Sequence, residues 1–89
     1  MNLGISGKRA LVFGGSRGLG RATAAALVAE GAQVAVVARD RVRLQATADD
    51  IGAALFLTSD CEDPGASAQL VQTVVERWGG VDILVVNTG

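Results

Sequence analysis

Hydrophobic residues along this chain gather in four short runs, at residues 9–13, 33–39, 54–57 and 81–87, and polar or glycine-rich segments separate them. Apart from polar residues at or next to its ends, each run is continuously apolar and does not alternate with polar residues. Short runs of this kind are typical of strands that are buried on both faces of a parallel sheet. The pattern therefore predicts four β-strands, of which the first, second and fourth are buried.

The segments between these runs carry helical signals. Residues 40–51 begin at Asp40, a favourable N-cap, and are followed by Gly52, a favourable stop. A third segment starts at Pro64, which the first turn of a helix tolerates, and its apolar residues share one face: Leu70, Val71, Val74, Val75 and Trp78. The first segment, residues 18–30, is rich in alanine and has four residues on related turns: Leu19, Thr23, Ala26 and Leu27.

Strand and helix thus alternate as β-α-β-α-β-α-β along residues 1–89, without a linker or a low-complexity tract. The connections are too short for anything except right-handed crossovers between parallel strands. The sequence predicts one α/β domain built on a parallel sheet.

The composition argues against several kinds of partner and site. The formal charge is -1, so we expect no nucleic-acid partner. Cys61 is the only cysteine and histidine is absent, which excludes an internal disulfide, a Cys/His catalytic pair and a soft-ligand zinc site. Without a long hydrophobic stretch we expect no signal peptide and no membrane span, and we expect a cytoplasmic location.

The candidate chemistry lies in "GGSRGLG", the glycine-rich turn of residues 14–20 between the first strand and the first helix. A helix N-terminus offers unpaired N–H groups and the positive end of the helix dipole, which together favour a phosphate. Gly14, Gly18 and Gly20 would let the strand turn, let a diphosphate approach the backbone, and let the helix pack on the sheet.

Two common nucleotide motifs do not fit this turn. The dinucleotide motif G-x-G-x-x-G/A, started at Gly18, requires Gly or Ala where Thr23 stands. The Walker A motif, started at Gly15, requires Lys and Ser/Thr where Arg21 and Ala22 stand. A P-loop nucleotidase is therefore disfavoured.

The spacing that is present, G-x-x-x-G-x-G, resembles the cofactor turn of the short-chain dehydrogenase/reductases, T-G-x-x-x-G-x-G, with Phe13 in place of the Thr. The resemblance continues at Asp60, after the third strand, where the family places an acid against the adenine ring. An ordinary loop acid or helix cap is the alternative role for Asp60.

The last residues, "DILVVNTG", are similar to the family's "DILVNNAG". Asn87 and Gly89 match, whereas Val86 and Thr88 are replacements. The resemblance implies a Rossmann-type doubly wound sheet with strand order 3-2-1-4, incomplete relative to the family, and 3-oxoacyl-[acyl-carrier-protein] reductase-like members are nearest in appearance. It assigns to the cofactor site Gly14, Ser16, Arg17, Gly18, Leu19, Gly20, Arg39, Asp60, Cys61, Asn87, Thr88 and Gly89. Alternative roles are packing for Cys61 and local backbone bonding for Asn87.

Arg39 bears on which cofactor is bound. An NAD site places an acid about 20 residues beyond the glycines, whereas an NADP site places a cation there for the 2′-phosphate. Arg39 takes that position in the family, and Arg17 is a second place where NADP-preferring members carry a base. A register shift of one residue would make Asp40 the ribose acceptor, although Arg41 and Arg43 keep the region positive. We expect NADP(H), with NAD(H) as the alternative.

Family members use Ser, Tyr and Lys to pass a proton while nicotinamide passes hydride between carbonyl and alcohol. This chain has no Tyr, and its sole lysine, Lys8, precedes the first strand. The resemblance therefore implies the NADP(H)-binding part of a short-chain oxidoreductase that is inactive by itself. A non-catalytic dinucleotide-binding module or a truncated fragment is the alternative. The open, apolar margin expected at the fourth strand suggests a homo-oligomer or the remainder of a longer chain as partner.

Overall fold

The computed structural model describes residues 6–14, 18–59 and 64–86, and its elements alternate as the hydrophobic pattern predicts. They are β1 (Arg9–Phe13), α1 (Gly18–Ala29), β2 (Gln33–Ala38), α2 (Arg41–Ile51), β3 (Leu55–Thr58), α3 (Pro64–Trp78) and β4 (Ile83–Val86). All the strand pairs are parallel, and the strand order is β3-β2-β1-β4. The predicted α/β class, parallel sheet and 3-2-1-4 order are confirmed.

The sheet has a hydrophobic cluster on each face, because neighbouring residues of a strand point to opposite sides. In β1, Val12 belongs to the cluster that α1 and α2 cover, whereas Leu11 belongs to the cluster that α3 covers. Both side chains are fully buried, as are Val34, Ala35, Val36 and Val37 of β2. The continuous apolar runs of the two central strands are explained by this burial from both sides.

Capping residues fix the two ends of α2. Asp40 has an extended backbone, and its Oδ1 accepts a hydrogen bond of 3.1 Å from the N–H of Arg43. At the other end, Gly52 has a φ of 77° and donates its N–H to the carbonyl oxygen of Ala48 at 2.9 Å. Among the large apolar side chains of α2, that of Leu44 is fully buried. The sequence signals at both ends of α2 are thus confirmed.

The sequence pattern places four residues of α1 on related turns, and the face of the helix that packs on the sheet agrees with this set only in part. Leu27, a member of that set, packs against the core cluster. Leu19 is 74% exposed and Ala26 is exposed, however, and the buried residues are Gly20 and Ala24. Gly20 and Ala24 are one helical turn apart and carry little or no side chain, so the backbone of α1 can lie close to the strands.

The prediction that the fourth strand is buried on both faces is wrong. Leu84 is 54% exposed and Val86 is 63% exposed, on the side of the sheet where α3 lies, whereas Ile83 and Val85 are partly buried under the other cluster. The reason is that β4 is an edge strand, and α3 packs on β1 and β2 through Leu70 and Val74. The expected open, apolar margin at this strand is confirmed.

Candidate cofactor site

The candidate site lies at the edge of the sheet where the central strands end. Because β1 and β2 are parallel neighbours, with Phe13 opposite Val37, their carboxyl ends meet at the same edge. Gly14 follows β1, and Arg39 follows β2. The glycine turn and Arg39, the residue predicted to distinguish NADP(H) from NAD(H), therefore lie at the same edge of the sheet. In doubly wound sheets, ligands bind in the crevice outside this edge.

Gly14 begins the turn. Its N–H donates a hydrogen bond of 2.7 Å to the carbonyl oxygen of Val37, which extends the pairing of β1 and β2 by one bond. The chain therefore leaves the sheet only after Gly14, and the start of the turn is fixed to the backbone of β2.

Gly18 begins α1 with a φ of 60°, a left-handed conformation that strongly favours glycine. Among the described residues, no heavy atom lies within 4 Å of the position that a Cβ of Gly18 would occupy. The first N–H groups of a helix have no partner inside the helix. The first turn of α1 therefore combines free donors with open space at Gly18, whereas Gly20 in the same turn is buried.

Leu19 lies between these two glycines and is exposed, so its side chain is available to a ligand but takes no part in the core. The assignment of Leu19 to the cofactor site remains a prediction.

Arg39 lies on the surface, directly after the last residue of β2. Within the described part of the chain its side chain makes no hydrogen bond and no ion pair. The neighbouring Asp40 differs, because its carboxylate accepts the N–H of Arg43 and caps α2. Arg41 and Arg43 are exposed as well. Residues 39–43 therefore expose three guanidinium groups, whereas the carboxylate among them, that of Asp40, caps α2.

Arg21 points away from the open side of the turn. Its Nη1 donates to Thr47 Oγ1 at 3.2 Å, and its Nη2 lies 3.1 Å from Asp50 Oδ2, so the side chain joins α1 to α2. Arg21 occupies the position where a P-loop would carry its phosphate-binding Lys. Its engagement with α2 agrees with the sequence argument against that motif. Sequence reasoning missed this contact, because nothing in the spacing of residues 21, 47 and 50 indicates it.

A second polar cluster lies at the opposite edge of the sheet. Asp82 Oδ2 accepts from the backbone N–H of Arg9 at 2.9 Å and from its Nε at 3.2 Å. These hydrogen bonds hold the pKa of the Asp82 carboxyl below its usual range. Arg9 Nη1 also donates to the carbonyl oxygen of Trp78 at 2.7 Å, at the end of α3. Asp82 and Arg9 therefore hold β1, β4 and α3 together and lie away from the cofactor edge.

An apolar depression of about 200 Å³ lies beside the glycine turn, on the α3 side of the sheet. Its lining residues are Phe13, Ser67, Ala68, Val71, Leu84 and Val86. The depression includes the exposed face of β4, and Phe13 connects it to Gly14.

Several predicted site residues lie outside the described residues, namely Ser16, Arg17, Asp60, Cys61, Asn87, Thr88 and Gly89. In the described ranges, no three or more His, Cys, Asp or Glu side chains form a group that could hold a metal ion. No helix in the same ranges is both long and apolar enough to cross a membrane.

Comparison with known proteins identifies relatives of this arrangement. The model of the family described as short chain dehydrogenase matches residues 8–89. Among curated relatives, sorbitol dehydrogenase of Cereibacter sphaeroides is 43% identical over 84 residues, which cover 93% of this chain and 33% of the relative. The 3-oxoacyl-[acyl-carrier-protein] reductase FabG of Escherichia coli is 40% identical over 88 residues, which cover 98% of this chain and 36% of the relative.

A solved structure has the same fold. The crystal structure of L-sorbose reductase from Gluconobacter frateurii, complexed with NADPH and L-sorbose, superposes with a TM-score of 0.87 at 36% sequence identity. The match covers 100% of this chain and 36% of that one. This chain therefore spans about a third of the length of the relatives that it matches.

Proposed function

Because the chain belongs to the short chain dehydrogenase family, we propose that residues 1–89 form part of an NAD(P)-binding domain of a short-chain oxidoreductase and that this domain binds NADP(H). The observation that carries the proposal is the position of Arg39. It is exposed and unpaired within the described residues, at the same edge of the sheet as the glycine turn.

The first turn of α1 would hold the diphosphate of the cofactor. Its unpaired N–H groups and the positive end of the helix dipole favour an anion at this point. The open space at Gly18 lets phosphate oxygens approach the backbone, since no Cβ is there to hold them away. Gly14 supports the geometry, because its hydrogen bond to Val37 fixes where the turn leaves the sheet.

Arg39 would hold the 2′-phosphate that distinguishes NADP(H) from NAD(H). A guanidinium group donates two parallel hydrogen bonds to a phosphate, and no group in the described residues competes for it. The alternative, in which Asp40 accepts from the ribose hydroxyls of NAD(H), is disfavoured because the Asp40 carboxylate already caps α2. The similar L-sorbose reductase was solved with NADPH bound, which supports the same preference.

When bound, the nicotinamide would exchange hydride with a carbonyl or alcohol substrate. The residues of this chain would bind and orient the cofactor, but they do not supply the Tyr of the family's proton relay, because the sequence contains none. We therefore expect these 89 residues to be inactive by themselves. A dinucleotide-binding module without catalysis is the second candidate, which the absence of Tyr and of a second Lys would favour only if residues 1–89 were the whole protein. The cytoplasmic location stays a prediction.

Further polypeptide would cover the apolar side of β4. Leu84 and Val86 are more than half exposed there, and an uncovered apolar edge strand invites pairing with another strand. We therefore expect either a homo-oligomer or association with the remainder of a longer chain. Light scattering after size exclusion tests this expectation. A monodisperse monomer that binds no hydrophobic dye would contradict it.

Titration of the chain with NADPH and with NADH tests the cofactor assignment. We expect tighter binding of NADPH, and we expect Arg39→Asp to weaken it by about 10- to 100-fold, because a charged hydrogen bond to phosphate contributes about 1.5–3 kcal/mol. NADH binding should be kept or become tighter, because the variant places an acid where an NAD site carries one. Arg77→Asp is the matched control, since Arg77 lies in the last turn of α3, at the far end of the sheet. Unchanged NADPH affinity in Arg39→Asp would refute the role of Arg39.

A further inference from the structure

One side chain connects the helix that starts at the glycine turn with the helix that starts beside Arg39. Arg21 lies in the first turn of α1, and its two terminal nitrogens reach Thr47 and Asp50 of α2 at 3.2 Å and 3.1 Å. Thr47 is fully buried, whereas the Asp50 side chain is 65% exposed. The fork of Arg21 therefore has one end in the interface between the helices and one end at the surface.

The apolar side of α2 is small. Its described core contacts come from Leu44, Ala48 and a partly buried Ile51, while Val42 is 81% exposed. Apart from Leu44, the described core contacts of α2 come from small or partly buried side chains, so packing alone restricts rotation of the helix about Leu44 less than a larger apolar face would. The bond from Arg21 to Thr47 holds α2 about one turn beyond Leu44 and restricts that movement.

Movement of α2 would displace the residues at its N-terminus. The N-cap Asp40 is rigidly attached to the first turn through its bond to Arg43, and Arg39 is covalently joined to Asp40. Arg39 is also joined to Ala38, the last residue of β2, whose carbonyl oxygen accepts the N–H of Ser59 at 3.1 Å, so movement of the helix would turn the side chain of Arg39 about a fixed strand end. The N–H groups of the first turn of α1 stay in place, because Gly20 and Ala24 are buried against the sheet.

We infer that Arg21 is a positioning residue for cofactor selectivity, which sets the distance between the diphosphate-binding turn and the Arg39 that would receive the 2′-phosphate. Arg21 itself would touch neither phosphate, since its guanidinium is engaged with α2. This inference rests on the proposed function, because it concerns how the two halves of the proposed NADP(H) site are held in register.

The decisive variant is Asp50→Asn. It keeps the shape of an exposed side chain and removes a negative charge near the site, so a purely electrostatic influence would tighten the binding of both cofactors. If Arg21 acts through position, the loss of the ion pair instead weakens NADPH and leaves NADH nearly unchanged. We expect the NADPH to NADH preference to fall about two- to fivefold, as for the loss of an exposed ion pair.

Three further variants complete the series. Arg21→Gln removes both contacts and should reduce the preference by about tenfold, because a charged hydrogen bond is lost as well. Arg21→Lys keeps the charge but has no fork, so it should restore only part of the preference. Arg77→Gln removes an exposed cation from α3 and should leave the preference unchanged.

Dissociation constants of both cofactors, with far-UV circular dichroism to confirm folding, separate the outcomes. If the unaltered chain binds neither cofactor, the proposed function and this inference are both overturned. If it prefers NADPH and the preference is unchanged in Asp50→Asn and Arg21→Gln, or if Asp50→Asn tightens both cofactors, the inference alone is overturned. A selective loss of NADPH affinity in both variants supports it.

Discussion

Leu44 should be the side chain on which the attachment of α2 to the sheet depends, and Leu44→Ala measures that dependence. Leu44 is fully buried in the cluster between α1, α2 and the sheet. Truncation of a buried leucine costs the transfer energy of the lost carbons plus the energy of the cavity left behind, in total about 2.7–5 kcal/mol.

The expected loss is large relative to the stability of a domain of this size. At roughly 0.05–0.15 kcal/mol per residue, 89 residues give a free energy of unfolding of about 4–13 kcal/mol. A loss of about 3 kcal/mol lowers the ratio of folded to unfolded chain more than a hundredfold. With a urea m value near the low end for small proteins, about 1 kcal/mol/M, the midpoint should fall by about 3 M.

Urea unfolding followed by far-UV circular dichroism and by the fluorescence of Trp78, the single tryptophan, measures this loss. Circular dichroism reports on all the helices, whereas Trp78 packs on the α3 side of the sheet, so coincident transitions indicate two-state unfolding. Val42→Ala is the matched control, because Val42 is in the same helix and 81% exposed. If Leu44→Ala shifts the midpoint no more than Val42→Ala, the assignment of Leu44 as the main anchor of α2 is wrong.

Two further predictions concern the backbone conformation at Gly52 and the loss of stability at acid pH. Gly52→Ala should destabilise the chain by about 1 kcal/mol, because the left-handed backbone at φ 77° disfavours a Cβ although the nearest side-chain atom, of Val28, would lie at 3.7 Å. Gly52→Asn should cost less in the same urea assay, and equal costs would contradict the backbone explanation. Asp82 has a pKa lowered by its hydrogen bonds to Arg9, so its contribution to stability is present above the unfolded pKa of about 3.9 and is lost as the pH falls through the lower folded value. Thermal unfolding between pH 2 and 7 should therefore lose part of its acid dependence in Asp82→Asn, and an identical pH profile would rule out this role.

Much of the fold could be predicted because its signals are local. The buried strands are continuous apolar runs, and the ends of α2 are marked by Asp40 and Gly52, whose side chain and backbone act within one turn. The strand order came from the resemblance of the glycine turn and the last strand to a family. The pattern alone indicated only that the strands are parallel.

The features that sequence reasoning missed depend on packing between distant elements. Gly20 and Ala24 form the buried face of α1 because they are small, and a pattern based on hydrophobic side chains gives such residues no weight. The exposure of Leu84 follows from its place at the edge of the sheet, which residues 81–87 do not reveal. Arg21 meets Thr47 because α1 and α2 lie side by side, and this depends on the whole fold.

The placement of Arg9 has a consequence for engineering. The hydrogen bonds from Arg9 to Asp82 and to Trp78 stabilise the sheet at the amino ends of the strands. Gly14, Gly18 and Arg39 lie at the opposite, carboxyl ends. Anchorage and the proposed cofactor recognition thereby lie at separate ends of the same strands. Surface residues at the carboxyl ends of the strands could therefore be exchanged to change the coenzyme preference. We expect little loss of stability as long as the hydrogen bonds of Arg9 at the amino ends are kept.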